Sequence, residues 1–462
     1  TPEYNNGIPG VFKNAIDWLS RGTPDIPAVF DGRPFALIGA SLDVPAQTVV
    51  DAEGKYVLPG GIDAHTHLAM PFGGTVSADG YLAGTRAAAC GGVTTVFDYP
   101  MQKKGMGILE IVEKRRAMCD PEACVDYAFH CIVTDLNGGS LLDEFQAAAD
   151  YGITSFKCFF VYKKEGMMVD DATFIKVLLK AREVGAITNL HAENPDVIDM
   201  NIEQFRREGK TSAWYHYLSR PEWVEAEADK RAVHWAKSVN APLYIVHMAD
   251  KEGLEAAVEA KRGGAPIYIE TCPQYLEFTC DVYKRPDGRN FVCSPPMKGE
   301  ESREALWKAV ADGSIDTVAT DHCPFQSYEK DWGKDDFTKI PNGCAGVENL
   351  YPYMLSAANE GKITFPRAVQ LCAANPAKIF GCASKGSLTV GKDADIVLYD
   401  PEKTFTISVK NMHSDYDHTI WGGKTLKGYP VQTYVRGKLV YKDGEFTGTP
   451  GYGQFVKREP RK

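Results

Sequence analysis

No two of the 12 cysteines stand in a CxxC pair, which argues against a zinc ribbon or a thioredoxin-like dithiol. A chain of 462 residues can build its own core and does not need disulfide staples. Several cysteines lie in apolar contexts such as FKCFF (156–160) and YAFHCIV (127–133). They are expected as buried, reduced thiols of a cytoplasmic protein. No apolar run approaches the roughly 20 residues that span a bilayer. The opening TPEYNNGIPG lacks the charged start and apolar core of a secretory signal. Positive charge is also short, with Lys+Arg 51 against Asp+Glu 61 and a formal net charge of -10. That balance disfavours nucleic acid or an anionic membrane as the main partner. Low-complexity tracts are missing too, and 44% hydrophobic with 11% aromatic residues can fill a large core.

What the chain does have is a rhythm. Eight short β-branched or aromatic runs end in polar or small residues, at 60–67, 93–100, 125–133, 154–162, 186–194, 242–250, 266–274 and 316–325. Segments of helical periodicity separate them, for example DDATFIKVLLKAREVG and DKEGLEAAVEAKRGG. Strands alternating with helices indicate a parallel sheet. Eight such units over about 260 residues predict an α/β fold, a (β/α)8 TIM barrel. Longer gaps after the fifth and seventh runs leave room for extra helices. After about residue 384 the texture becomes short strands joined by Gly, Asp and Lys turns, and 35–60 reads the same way. The expected organisation is therefore a barrel over 60–384 and a small β-sandwich domain built from 35–59 and 385–446. Residues 447–462 read as an extended basic tail. Residues 1–34, a loop and an amphipathic helix, fall outside this rhythm.

The polar residues of the runs cluster at their ends. His65 and His67 close the first run, Lys157 lies in the fourth, and His191 and His247 near the ends of the fifth and sixth. Asp321 lies near the end of the eighth. In a barrel these ends share one face, where active sites are built. Alternation sends His65 and His67 to one side of their strand, which suits chelation of a divalent metal. Taken alone, an HxH is often coincidental and a single histidine is more often structural. The joint placement is what points to a site. His130, inside YAFHCIV, reads as packed, and His216, His234, His413 and His418 as structural or solvated. His322 adjoins Asp321 and reads as a supporting residue. Lys157 in an apolar strand is costly to bury as an ammonium. Either a nearby carboxylate pairs with it, or its amine has taken up carbon dioxide to become a carbamate that can ligate two metals.

The segments GGIDAHTHLAMPFGGT, TSFKCFFVYK, LHAEN, VHMAD, ETCPQYL, CSPPMK, VATDHCPF and GKDDFTKIPNGCAGVE together resemble the cyclic amidohydrolases, closest to dihydropyrimidinase and D-hydantoinase. The resemblance runs over about residues 36–455 and implies hydrolysis of hydantoin or dihydropyrimidine rings to N-carbamoyl amino acids. It implies two divalent ions, usually zinc, bridged by carbamylated Lys157. One ion would take His65, His67 and Asp321, the other His191 and His247. It further implies Asp321 as general base and then acid, Tyr162 as donor to the oxyanion, and backbone groups of Ser294 and Asn342 as holders of the ring amide. A homotetramer is implied as well. Met70, Phe72 and Phe159 are candidates for an apolar wall, and equally for plain core.

The competing readings are allantoinase or dihydroorotase, which would want a guanidinium-lined pocket, and a non-catalytic assembly protein of the same fold, which would lack the ligand set. GSLTVGK (386–392) matches the start of a phosphate-binding loop, but Asp393 and then a strand follow it, so nucleotide binding is declined. Residues 1–34 resemble a fragment of NADPH-dependent FMN reductases. The fragment lacks that family's preceding strand and phosphate loop, and a small β domain distorted near residues 1–40 is expected.

Overall fold

The computed structural model describes residues 50, 52 and 54–461. The expectations for residues 1–40, and most of the 35–59 part of the small β domain, lie outside them. The chain enters the described fold as the strand Tyr56–Pro59, which pairs antiparallel with Ile396–Thr406. Thr425–Val435, Lys438–Lys442 and Glu445–Phe446 complete one five-stranded sheet. GSLTVGK is turn leading into strand, with no helix to receive a phosphate. Gly60 then passes the chain into the barrel. A Cβ there would fall 2.1 Å from Thr94 Oγ1, so only glycine permits so close a crossing.

The barrel strands are Gly61–Thr66, Val93–Asp98, Asp126–Phe129 with Cys131–Ile132, Ser155–Phe159, Ile187–His191, Leu243–Ile245, Ile267–Thr271 and Thr317–Val318. Neighbours pair in parallel. The ladder runs as two arcs, one of three strands and one of six. Isolated bridges Met101↔Ile132 and Thr66↔His322 join them, so hydrogen bonding is not continuous around the ring. The third run breaks at His130, whose ring bonds Ser155 Oγ (2.5 Å) and the Ala64 carbonyl (3.1 Å).

Helix starts follow their caps. Asp170 accepts from Thr173 N at the start of Asp171–Glu183, and Asp250 accepts from Gly253 N at the start of Lys251–Arg262. The gap after the fifth strand holds Pro195–Arg207, Ala213–Ser219 and Glu222–Ser238. No described helix is long and apolar enough to cross a membrane. All 12 cysteines are free thiols, and every one but Cys280 is buried.

The lower barrel is filled by an apolar cluster that includes Ile62, Phe97, Ile187, Tyr244 and Phe380. Phe380 rises from the helix Asn375–Phe380 to within 4.8 Å of Tyr244 and 5.4 Å of Phe97, centroid to centroid. Burying such a ring contributes about 1.5–3 kcal/mol. The closing residues, read as an extended basic tail, are tied to the barrel floor. Gly453 N bonds Ala123 O, Val456 N bonds Tyr127 O, Glu459 N bonds Gly381 O and Arg461 N bonds Gly185 O. Each of Ala123, Tyr127 and Gly185 stands at the start of a barrel strand, so the segment crosses the barrel's lower end. Arg458 is 1% exposed, donates to Ser155 Oγ and Phe129 O, and lies 5.3 Å from the Phe97 ring. The barrel floor supplies the partners that let this charge be buried.

Candidate metal centre and substrate cleft

One cleft at the carboxyl ends of the strands is lined by all nine residues singled out above: His65, His67, Lys157, Tyr162, His191, His247, Ser294, Asp321 and Asn342. The His65 and His67 rings are 5.1 Å apart, and both Nε2 atoms reach Asp321 Oδ1, at 3.1 and 3.0 Å. His191 and His247 face each other at 4.5 Å, and His65 and His247 at 5.4 Å. Donor atoms of His65, His67 and Asp321 all lie within 4.8 Å of one another.

Strand alternation does not explain all of this. Val246 belongs to the inner cluster, so His247 would point outward in a regular strand. Its φ of 41° breaks the extended geometry. Tyr162 (φ 66°) and Asp321 (φ 53°) also occupy the left-handed region. That conformation costs non-glycine residues of order 1–3 kcal/mol and collects at functional sites. Sequence patterning carried no sign of it.

Lys157 is fully buried, and its Nζ has no hydrogen-bond partner among the described residues. It rests over the Phe159 and Tyr99 rings at 4.9 and 5.2 Å. Burial pulls its amine down to about 7, against the attraction of Asp321 and Glu270. The paired-carboxylate reading of this lysine therefore fails, since no carboxylate bonds it. Burial also keeps His65, His191 and His247 below the usual imidazole range, hence neutral, the form that ligates metals. Asp321 stays ionised, because His65 and His67 offset the cost of its burial.

Two carboxylates that sequence reasoning missed orient these rings. Glu270 accepts from His65 Nδ1 (2.7 Å), the His247 backbone N (2.9 Å) and the Tyr244 hydroxyl (2.7 Å). Glu193 bonds His191 Nε2 at 2.7 Å and is itself held by Arg220 at 3.0 Å. Each bond fixes a tautomer and frees the opposite ring nitrogen for a ligand. The available signal was an acid inside an apolar run, as in PIYIET. His322 is also anchored, with Asp79 on Nε2 (2.9 Å) and the Gly346 N–H on Nδ1 (3.0 Å). His216, read as structural or solvated, is buried and donates to Cys293 O at 2.8 Å.

A hairpin, Pro71–Phe72 with Thr75–Val76, carries Phe72 over the cleft. Gly73 and Gly74 supply its turn with φ of 61° and 85°, values that a tight hairpin requires. Phe72 meets Tyr162 at 5.2 Å, and Tyr162 meets His191 at 5.3 Å. Met70, Phe159 and Met167 complete an apolar wall. Burial pushes the Tyr162 hydroxyl well above the phenolic range, so it remains a donor. Asn342 Nδ2 donates to Ser294 Oγ at 3.0 Å. No arginine lines the cleft among the described residues.

Behind the site, Glu225, Asp229 and Asp250 are buried together around Lys298, which lies 3.1 Å from Glu225. Neither oxygen of Asp229 has a partner. Burial raises Glu225 to about 8, Asp250 to about 6, and Asp229 well above the carboxylate range, with Asp250 repelling both Glu225 and Asp229. The fold favours the protonated forms. Their stabilising effect is full below the ordinary carboxylate range, near pH 4, and is lost as pH rises through 6 to 8. Asp229→Asn should therefore raise the melting temperature at pH 8.5 by about 1–3 °C, with the gain vanishing towards pH 4. Calorimetry across that range checks it.

A parallel barrel with histidines, an aspartate and a buried lysine gathered at its carboxyl rim defines a class of hydrolases, and the sequence comparison agrees. The chain belongs to the amidohydrolase family, whose model matches residues 56–440. It is 43% identical to a D-hydantoinase of Ralstonia pickettii over 452 residues, covering 96% of this chain and 97% of that one. It is 42% identical to a D-hydantoinase of Rhizobium radiobacter, covering 98% and 99%. The crystal structure of a dihydropyrimidinase from Brevibacillus agri NCHU1002 superposes with a TM-score of 0.89 at 39% identity, covering 92% of this chain and 93% of that one. A second model, NADPH-dependent FMN reductase, matches residues 1–66. That is longer than the 34 residues expected, and it overlaps the start of the amidohydrolase match.

Proposed function

We propose that this protein is a metal-dependent hydrolase that opens five- or six-membered cyclic amides, hydantoins or dihydropyrimidines, to N-carbamoyl amino acids. The observation that carries the reading is Lys157, a fully buried amine with no partner amid four histidines and an aspartate. A carbamate there converts an unsatisfied group into an anionic ligand. The donor set fits two divalent ions, zinc by family analogy. His65, His67 and Asp321 would hold one, His191 and His247 the other, and Lys157 both. His67 Nδ1 and His247 Nδ1, buried without partners, are consistent with rings aligned for ligation rather than for internal hydrogen bonding. When bound, such ions polarise a carbonyl and lower the pKa of water.

The chain's own residues do the rest. Asp321 accepts the proton of the attacking water at its carboxylate, then delivers it to the ring nitrogen as the C–N bond breaks. Tyr162 donates to the carbonyl oxygen as it becomes negative. Backbone groups of Ser294 and Asn342 hold the ring amide. The wall of Met70, Phe72 and Phe159 takes the exocyclic substituent and keeps water away from it. With no arginine lining the cleft among the described residues, no guanidinium awaits the ureido arm of allantoin or the carboxylate of dihydroorotate, which favours hydantoins. The homotetramer implied by the resemblance belongs to the same reading.

The test joins metal analysis to hydrolysis of dihydrouracil, hydantoin, phenylhydantoin and allantoin. Ring opening of hydantoin or dihydrouracil and poor turnover of allantoin are expected. A metal-loaded protein that opens none of the four would overturn the reading. Tyr162→Phe should lower kcat about 10²–10³-fold, the cost of one oxyanion donor, with KM and metal content nearly unchanged.

A further inference from the structure

Lys330 is fully buried on the short helix Ser327–Lys330 and has no carboxylate partner among the described residues. Its Nζ donates instead to three backbone carbonyls: Val292 (3.0 Å), Pro341 (2.7 Å) and Gly343 (2.7 Å). An ammonium has three donors, and here each is used once. The three carbonyls flank Ser294 and Asn342, the residues given the ring amide above. Pro341 O and Gly343 O stand on either side of Asn342, and Val292 lies two residues before Ser294. Gly343 N also bonds Val292 O, so the two segments meet at this point. The preceding residue, Glu329, accepts from Thr75 of the hairpin that carries Phe72. One helical turn thus holds three walls of the cleft.

We propose that Lys330 is a positioning residue for substrate, fixing the Ser294 and Asn342 segments at the spacing that a cyclic amide needs. It also acts through the peptide bond. Pro341 O and the Asn342 N–H belong to one peptide unit, and that N–H makes no hydrogen bond among the described residues. A cation on the carbonyl polarises the unit and makes its N–H a stronger donor. His216, which burial keeps neutral, donates to Cys293 O, the carbonyl of the peptide unit that carries the Ser294 N–H. The role rests on the cyclic-amide reading of the cleft.

The test is Lys330→Met in the full, metal-loaded protein, with hydantoin as substrate. KM should rise about tenfold or more, as expected when charge-assisted bonds are lost. The metal content should match the unaltered protein, and kcat should change less than KM. Lys330→Arg, which keeps the charge and the donors, should recover part of the KM. An unmoved KM, or a joint collapse of metal content and kcat, overturns the positioning role. If Lys330→Met does not fold, Lys330→Gln, with two donors for three carbonyls, decides by the same criterion. Failure of the unaltered protein to open any ring would instead overturn the functional reading. Ring opening with an unmoved KM in the variant sinks only the role of Lys330.

Discussion

Lys157→Ala should remove both metals and lower kcat/KM by about four orders of magnitude or more, read by metal analysis and by hydantoin hydrolysis on one preparation. The size follows from the position. A carbamate at the Lys157 amine, over Tyr99 and Phe159, would be the anion shared by both ions, so its loss leaves four imidazoles and one carboxylate to balance two dications. The barrel should still assemble, because alanine fits an apolar strand and removes a buried polar atom that has no partner. A folded Lys157→Ala variant that retains two metals would overturn the bridging role. In the unaltered protein, native mass spectrometry should reveal a carbon dioxide adduct that acid removes.

Asp321→Asn separates proton transfer from ligation. The amide keeps the shape and one oxygen beside His65 and His67, where Asp321 Oδ1 now lies at 3.1 and 3.0 Å. It cannot accept the proton of water. A fall in kcat of about 10³–10⁴-fold is expected, with KM changed little and at least one metal retained. Activity within tenfold of the unaltered protein would assign the base elsewhere. Measuring metal content alongside kcat distinguishes a lost base from a lost ligand.

The parts of this molecule that were legible in its sequence are those set by local period. Alternation of β-branched runs with amphipathic helices gave the parallel barrel, because each run is a strand that helices must cover. His65-Thr66-His67 and Lys157 stood out because their chemistry conflicts with their apolar surroundings. Other features depend on closure of the ring. Glu270 reaches His65 across 205 positions of chain, and no spacing rule links them. His247 enters the cleft through a left-handed residue that alternation would have turned outward. Nothing in the sequence singles out Lys330. Only the folded carbonyls of Val292, Pro341 and Gly343 make it a buried lysine. The tail reads only as extended and basic, and the burial of Arg458 beneath Phe97 depends on partners far away in the chain.

That tail has a practical corollary. Residues 453–461 run beneath the strand starts and end at Gly185, on the far side of the molecule from the rim where hydantoin would enter. A tether attached beyond residue 461 would leave from the underside. A protein immobilised on a bead by that end would therefore present its mouth to the flowing solution rather than to the support.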